Sequence, residues 1–192
     1  MLSEEQLKYP IGRFLAPDTI SEALIRQWVD VLESFPFRVF QVAGDLSPAQ
    51  LDWAYRPGGW TIRQVVHHCA DSHMNSFVRF KWALTESKPV IKAYEEAKWA
   101  RLADSYTAPI EPSLSLLDAL HQRWVYLLRS LSENDRKRTY VHPETNREIS
   151  LATTIGMYAW HCEHHYTHIL QALEFEGRYT GQPRQKHPTE PQ

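Results

Sequence analysis

Between residues 161 and 168 the chain carries four histidines, in the stretch Trp160-His161-Cys162-Glu163-His164-His165-Tyr166-Thr167-His168. Imidazole is the commonest metal-ligating side chain, so such a density implies either a cation site or a polar helix face rich in histidine. At about 100° per residue, Leu151, Ile155, Tyr158, Cys162, Ile169 and Leu173 form one apolar stripe. His165 falls inside that stripe, and His161 lies on its shoulder one turn earlier. An inward-facing i, i+4 pair lets two imidazoles reach one ion from a single helix. His168 sits near the same shoulder, as a third ligand or, the preferred reading, as a group that supports a ligand. His164 points about 100° further out and reads as a solvated residue. Glu163, about 160° round from His165, faces away, so no general base is assigned.

One helix cannot complete a tetrahedral site, and a second candidate stretch is Val65-Val66-His67-His68-Cys69-Ala70-Asp71-Ser72-His73. Ile62, Val65, Val66, Cys69 and Phe80 define a stripe that contains His73, with His67 and His68 flanking it on opposite sides. Spacing alone leans slightly to His73 over His68. Asp71 and Asn75 are polar neighbours that could orient an imidazole from behind, although such residues are more often plain surface.

The elements that must position these groups read as helices. Thr19-Ile20-Ser21-Glu22 opens a first long helix by a capping-box pattern, with Leu24, Trp28, Val31, Leu32 and Phe35 at helical spacing. Pro36 is expected to kink or interrupt it before Val39, Phe40 and Val42. Ser47-Pro48-Ala49-Gln50 signals a short helix. Arg56-Pro57-Gly58-Gly59-Trp60 must turn, delivering the chain into Thr61-Ile62-Arg63-Gln64, a second capping box, and a helix to about Glu86. Residues 87–112, with Pro89, Pro109 and Pro112, read as a long crossover with one helical turn near Tyr94–Leu102. A third long helix spans about 113–131, residues 139–149 form a small hairpin or loop, and a fourth long helix runs from near Ser150 to a terminator at Gly177. The sum is an all-α four-helix bundle with a long crossover, one domain over residues 1–192, with an irregular lead-in over 1–18 and a loose tail over about 180–192.

Composition removes several function classes. The formal net charge is −2 with acids and bases interspersed, so no basic face for nucleic acid is present. No apolar run approaches the roughly 20 residues of a membrane span, and the first residues lack a secretion-signal core. Two cysteines, Cys69 and Cys162, make no disulfide framework and suit small core positions. The expected location is the cytoplasm.

The stretches YPIG, YRPGGWTIRQVVHHCADSHMNSFVRFK and WHCEHHYTHI, with likeness continuing through LTESKP, LHQRWVYLLRSL and HPETNREISL, resemble the DinB/YfiT-like family of metal-dependent hydrolases. The resemblance covers nearly the whole chain. It implies that one histidine of the second long helix, eight residues after the Trp that opens it, joins an HxxxH pair from the last helix. Those positions here are His68, His161 and His165, which moves His73 to a supporting or core role. Three neutral imidazoles would hold one divalent metal per chain, zinc or, in competition, nickel, and leave a fourth position for water. That is the catalytic pattern, and it implies a hydrolase using a metal-bound hydroxide. Two alternatives share the ligands: a transferase that activates a low-molecular-weight thiol, and a non-enzymatic, metal-stapled stress-response binding protein. Closure of the site by Cys69 or Cys162 is disfavoured, because neighbours on a helix diverge by about 100°. The family and the aromatic-rich helices also imply a homodimer acting on a small-molecule substrate.

Overall fold

The computed structural model describes residues 3–179. Four long helices dominate: α2 (Glu22–Ala43), α4 (Ile62–Thr85), α7 (Glu111–Ser130) and α9 (Leu151–Glu174). Single turns fill the connections: α1 (Glu4–Lys8), α3 (Pro48–Leu51), α5 (Glu96–Trp99), α6 (Ala103–Tyr106) and α8 (Glu133–Arg136). Strands β1 (Thr139–His142) and β2 (Arg147–Ser150) pair antiparallel, Thr139 opposite Ser150. No helix among the described residues is long and apolar enough to cross a membrane. The loose tail expected after residue 179 lies outside the described residues.

The long helices pack as a ring in the order α2, α9, α4, α7, so chain neighbours α2 and α4 sit on a diagonal while α4 and α9 touch. That adjacency brings the two histidine-rich stretches together. Starts are set by side-chain caps: Ser21, Thr61 and Ser150 accept from the backbone N–H three residues on, and Thr61 with Gln64 completes a capping box. The core is built from Leu32, Phe35, Phe80, Leu117, Trp124, Leu128 and Ile155, all essentially inaccessible. Gly156 admits the Trp28 ring, since a Cβ there would stand 2.7 Å from it.

Several sequence expectations change. The lead-in is not wholly irregular: Ser3 and Gln6 form a capping box that starts α1. The crossover holds two helical turns, α5 and α6, and α7 starts two residues earlier than expected. Phe40 is exposed rather than part of the stripe. The last helix ends at Glu174, and Gly177 adopts its positive φ of 72° three residues later.

Pro36 gives the most informative correction. It lies inside an uninterrupted α2. Proline has no N–H to give to the carbonyl four residues back, so the Leu32 carbonyl loses its helical partner. An imidazole from α7 takes that acceptor, with His121 Nδ1 2.6 Å from Leu32 O. The lost helical bond is replaced across the bundle, and the helix continues.

Candidate metal centre

His68 from α4 and His161 and His165 from α9 each offer a ring nitrogen, and the three ligand atoms lie within 4.8 Å of one another. His68 Nε2 stands 3.3 Å from His161 Nε2, and all three rings line a cavity of about 700 Å³. Burial pulls all three below the usual imidazole value, His68 to about 4, and the neighbouring imidazoles add to the effect. The rings are therefore neutral at pH 7, the form in which imidazole binds metal. Trp60 packs on two of them, 4.7 Å from His68 and 6.4 Å from His165 between ring centroids.

Which nitrogen carries the proton follows from where each chain of hydrogen bonds ends. Leu32 O can only accept, so His121 Nδ1 donates and its Nε2 accepts. His73 Nδ1, 2.7 Å away, is then the donor to His121 Nε2, and His73 Nε2 accepts. His161 Nδ1, 3.0 Å from His73 Nε2, donates in turn. His161 is left with its lone pair on Nε2, the nitrogen that faces His68.

A second relay does the same for His165. His168 Nε2 lies 3.1 Å from Lys8 O, a C-terminal carbonyl of α1 left without a helical partner, so that nitrogen donates. His168 Nδ1 then accepts from His165 Nδ1 at 3.4 Å. The His165 lone pair is again on Nε2. Both relays orient a ligand from behind and free the nitrogen that a metal needs, as supporting hydrogen bonds do in metal sites generally.

His164, His165 and His168 form another group within 4.8 Å, but it does not fit a cation. Both nitrogens of His168 are engaged, one with Lys8 O and one with His165, which leaves His164 and the Nε2 of His165, a nitrogen that already belongs to the first group.

The structure places the other predicted residues as follows. His73 and His168 stand directly behind His161 and His165. Asp71 and Asn75 do not touch an imidazole: Asn75 donates to Asp71 O, and Asp71 is raised to about 6 by burial and by Asp104, on the crossover side of α4. His67 also faces the crossover, meeting Ser113 Oγ at 2.7 Å and Ala108 O at 3.3 Å. Glu163 pairs with Arg38 of α2. Cys69 and Cys162 are free, buried and held protonated by that burial, so neither supplies a thiolate.

His164 overturns its expected solvation. It is buried, stacked on Trp160 at 4.5 Å and on Tyr9 at 5.7 Å, and its Nδ1 has no hydrogen-bond partner. The lead-in segment covers it. His121 was missed by sequence reasoning altogether: its signal was a lone histidine in the α7 stripe and a proline in another helix, 85 residues before it.

Comparison with known proteins supplies the family and the fold. Residues 25–169 match the family model described as the DinB superfamily. A Bacillus mycoides protein named "Putative metal-dependent hydrolase" is 51% identical over 170 residues, covering 88% of this chain and 97% of that one. One of the same name from Oceanobacillus iheyensis is 52% identical, with 84% and 93% covered. Among solved structures, "YfiT from Bacillus subtilis is a probable metal-dependent hydrolase with an unusual four-helix bundle topology" superposes with a TM-score of 0.87 at 46% identity, covering 90% of this chain and 98% of that one. A mycothiol-dependent maleylpyruvate isomerase shares the fold, with a TM-score of 0.61 at 15% identity over 76% of this chain and 60% of that one.

Proposed function

Because the chain belongs to the DinB superfamily, we propose that it is a metal-dependent hydrolase holding one divalent cation on His68, His161 and His165, with zinc the preferred ion and nickel its competitor. One observation carries the reading: three neutral imidazoles converge on a cavity, two of them with Nε2 lone pairs fixed by relays that end on backbone carbonyls. Three protein ligands leave a position open, and a divalent ion there supplies a Lewis acid that brings the pKa of a ligand water toward about 7. The chain's own residues do the rest. His73 and His168 hold the ligand rings, and Trp60 covers two of them. His164 lines the cavity and makes no hydrogen bond among the described residues, and it is the imidazole placed to accept or return a proton.

A second reading is activation of a small thiol. It is favoured by the lack, among the described residues, of a carboxylate hydrogen-bonded to any imidazole of the site, because a metal-held thiolate needs no general base to become nucleophilic. The zinc-loaded chain, assayed on a panel of esters and amides with and without a small thiol, separates the readings. Turnover without thiol supports the hydrolase. Turnover only with thiol makes the protein a transferase. No turnover at full metal content leaves the metal-stapled binding protein. We further propose a cytoplasmic homodimer; Phe37, Phe40 and Tyr126 are exposed aromatics available for pairing, and a monomer mass by light scattering at micromolar concentration would reject the dimer.

A further inference from the structure

The cavity beyond the three imidazoles continues along α4. His68, Ser72 and Arg79 follow one face of that helix and all line the cavity, with the two ends separated by ~16 Å of helical rise. Side chains lean toward a helix N-terminus, so Arg79 reaches back toward the metal centre.

Two arginines of α4 are equally buried, and they are treated differently. Arg63 and Arg79 are each 8% exposed. Arg63 is paired, with Nε 3.2 Å from Asp52 Oδ1 and Nη1 2.8 Å from Ala108 O. Arg79 has no ion pair or hydrogen bond among the described residues, and its Nε is buried without a partner. An unpaired buried charge costs several kcal/mol, and guanidinium is the side chain best shaped to grip a carboxylate with two parallel bonds. Beside it, the Tyr94 hydroxyl is also buried, with the Ser72 side chain as a polar neighbour but no hydrogen bond of normal geometry. Burial raises the Tyr94 pKa, so it stays a neutral donor. Both residues line the cavity.

We propose that Arg79 and Tyr94 form a binding subsite for a single carboxylate of the substrate, so that the molecule acted on at the three imidazoles is an acid whose carboxylate lies along α4, away from the reacting bond. The inference rests on the metal-centre reading and names its substrate class. One guanidinium and one phenol match a monoanion. A phosphate dianion fits less well, because Glu96 and Glu144 also line the cavity and repel a second charge. The remaining cationic lining residues, Lys8 and Arg56, belong to the end where His168 stacks on Tyr55.

The test uses ligands anchored at the metal whichever reaction is catalysed. Hydroxamates bearing a terminal carboxylate on alkyl chains of increasing length are titrated into the zinc-loaded full chain and compared with their methyl esters and phosphonates. At the best length, the carboxylate binds at least about tenfold tighter than its ester, the size of one charged hydrogen bond. Arg79→Met and Arg79→Gln remove that preference and leave ester binding within about twofold, while Arg79→Lys keeps part of it. Arg79→Met also leaves the free protein as thermally stable as before, or more so. No carboxylate preference in the wild type, a preference that survives in Arg79→Met, or a fall in Tm of more than a few degrees in that variant overturns the subsite. A phosphonate that binds tighter than the carboxylate overturns the carboxylate assignment. Zinc-loaded protein that binds neither acid nor ester overturns the metal-centre reading and the subsite with it.

Discussion

The two relays behind the metal centre serve one purpose with different materials. Behind His161, the relay runs through His73 and His121, both essentially inaccessible, to a carbonyl inside α2. Every member is on a long helix, and Phe35 and Trp124 pack against the rings. Behind His165, the relay has one imidazole, His168, and ends on a five-residue helix of the lead-in. That short helix is tied down by a few polar contacts, including Gln171 Nε2 to Leu7 O at 3.1 Å. The inner relay is inseparable from the core, whereas the outer one can be detached. Orientation of a ligand and stability of the fold are therefore coupled at His161 and separable at His165.

The largest effects come from removing a ligand, which erases the comparison by emptying the site. His68→Ala, His161→Ala or His165→Ala should each reduce metal content from one per chain to near zero by elemental analysis, because two neutral imidazoles hold a cation poorly. Retention of a full equivalent in any of the three would break the ligand assignment. Acid acts on all three together. An imidazole with a depressed folded value binds protons in the unfolded chain first, so its stabilising contribution is complete above about 6.5 and is lost as pH falls toward about 4, the value for His68 and His121. Stability should rise with pH across that window, by up to about 1.4 kcal/mol per unit for each such group. A flat denaturation midpoint between pH 4 and 6.5 would show that these rings are not buried neutral.

Next in size is the inner relay. His73→Phe should weaken zinc binding about 10- to 100-fold and also lower stability by about 1–3 kcal/mol, because His121 Nε2 and His161 Nδ1 lose a buried partner. The outer relay sharpens the contrast. His168→Phe should weaken zinc binding to a similar or smaller extent, with less than about 1 kcal/mol lost from the fold, since only one bond to the short lead-in helix disappears. Equal stability losses in the two variants would remove the proposed difference between the relays. The smallest effect is expected from Pro36→Ala, which returns an N–H to α2 that competes with His121 for Leu32 O. Zinc affinity should fall by no more than about tenfold, the worth of one hydrogen bond, and the variant should not gain the stability usual for removing a helical proline.

The fold was largely legible because apolar residues recur at helical spacing in four long segments with strong caps, such as Thr61 with Gln64. What the pattern hid was long-range compensation. Pro36 reads as a break until His121, 85 residues later, is seen to take the orphaned carbonyl. His164 reads as exposed because helical periodicity describes one helix, while its cover comes from Tyr9 of the lead-in. Within the site, periodicity faced His161 and His165 inward, but choosing His68 over His73 required the family resemblance, since both rings lie near the apolar stripe and only the packing of α4 on α9 separates cavity from core. Asp71 and Asn75 were reasonable by residue type, but Asp71 lies near Asp104 of the crossover, whose path no local signal fixes, and Asn75 donates to the Asp71 carbonyl.

The central claim is a single open site made by three Nε2 atoms, and diffraction from zinc-loaded crystals at the zinc edge tests it directly. One anomalous peak per chain, bonded to Nε2 of His68, His161 and His165 with a non-protein atom completing the sphere, is the predicted result. A peak held by His164 and His168, coordination through Nδ1 of His161 or His165, or a sphere closed by a fourth protein ligand would contradict it.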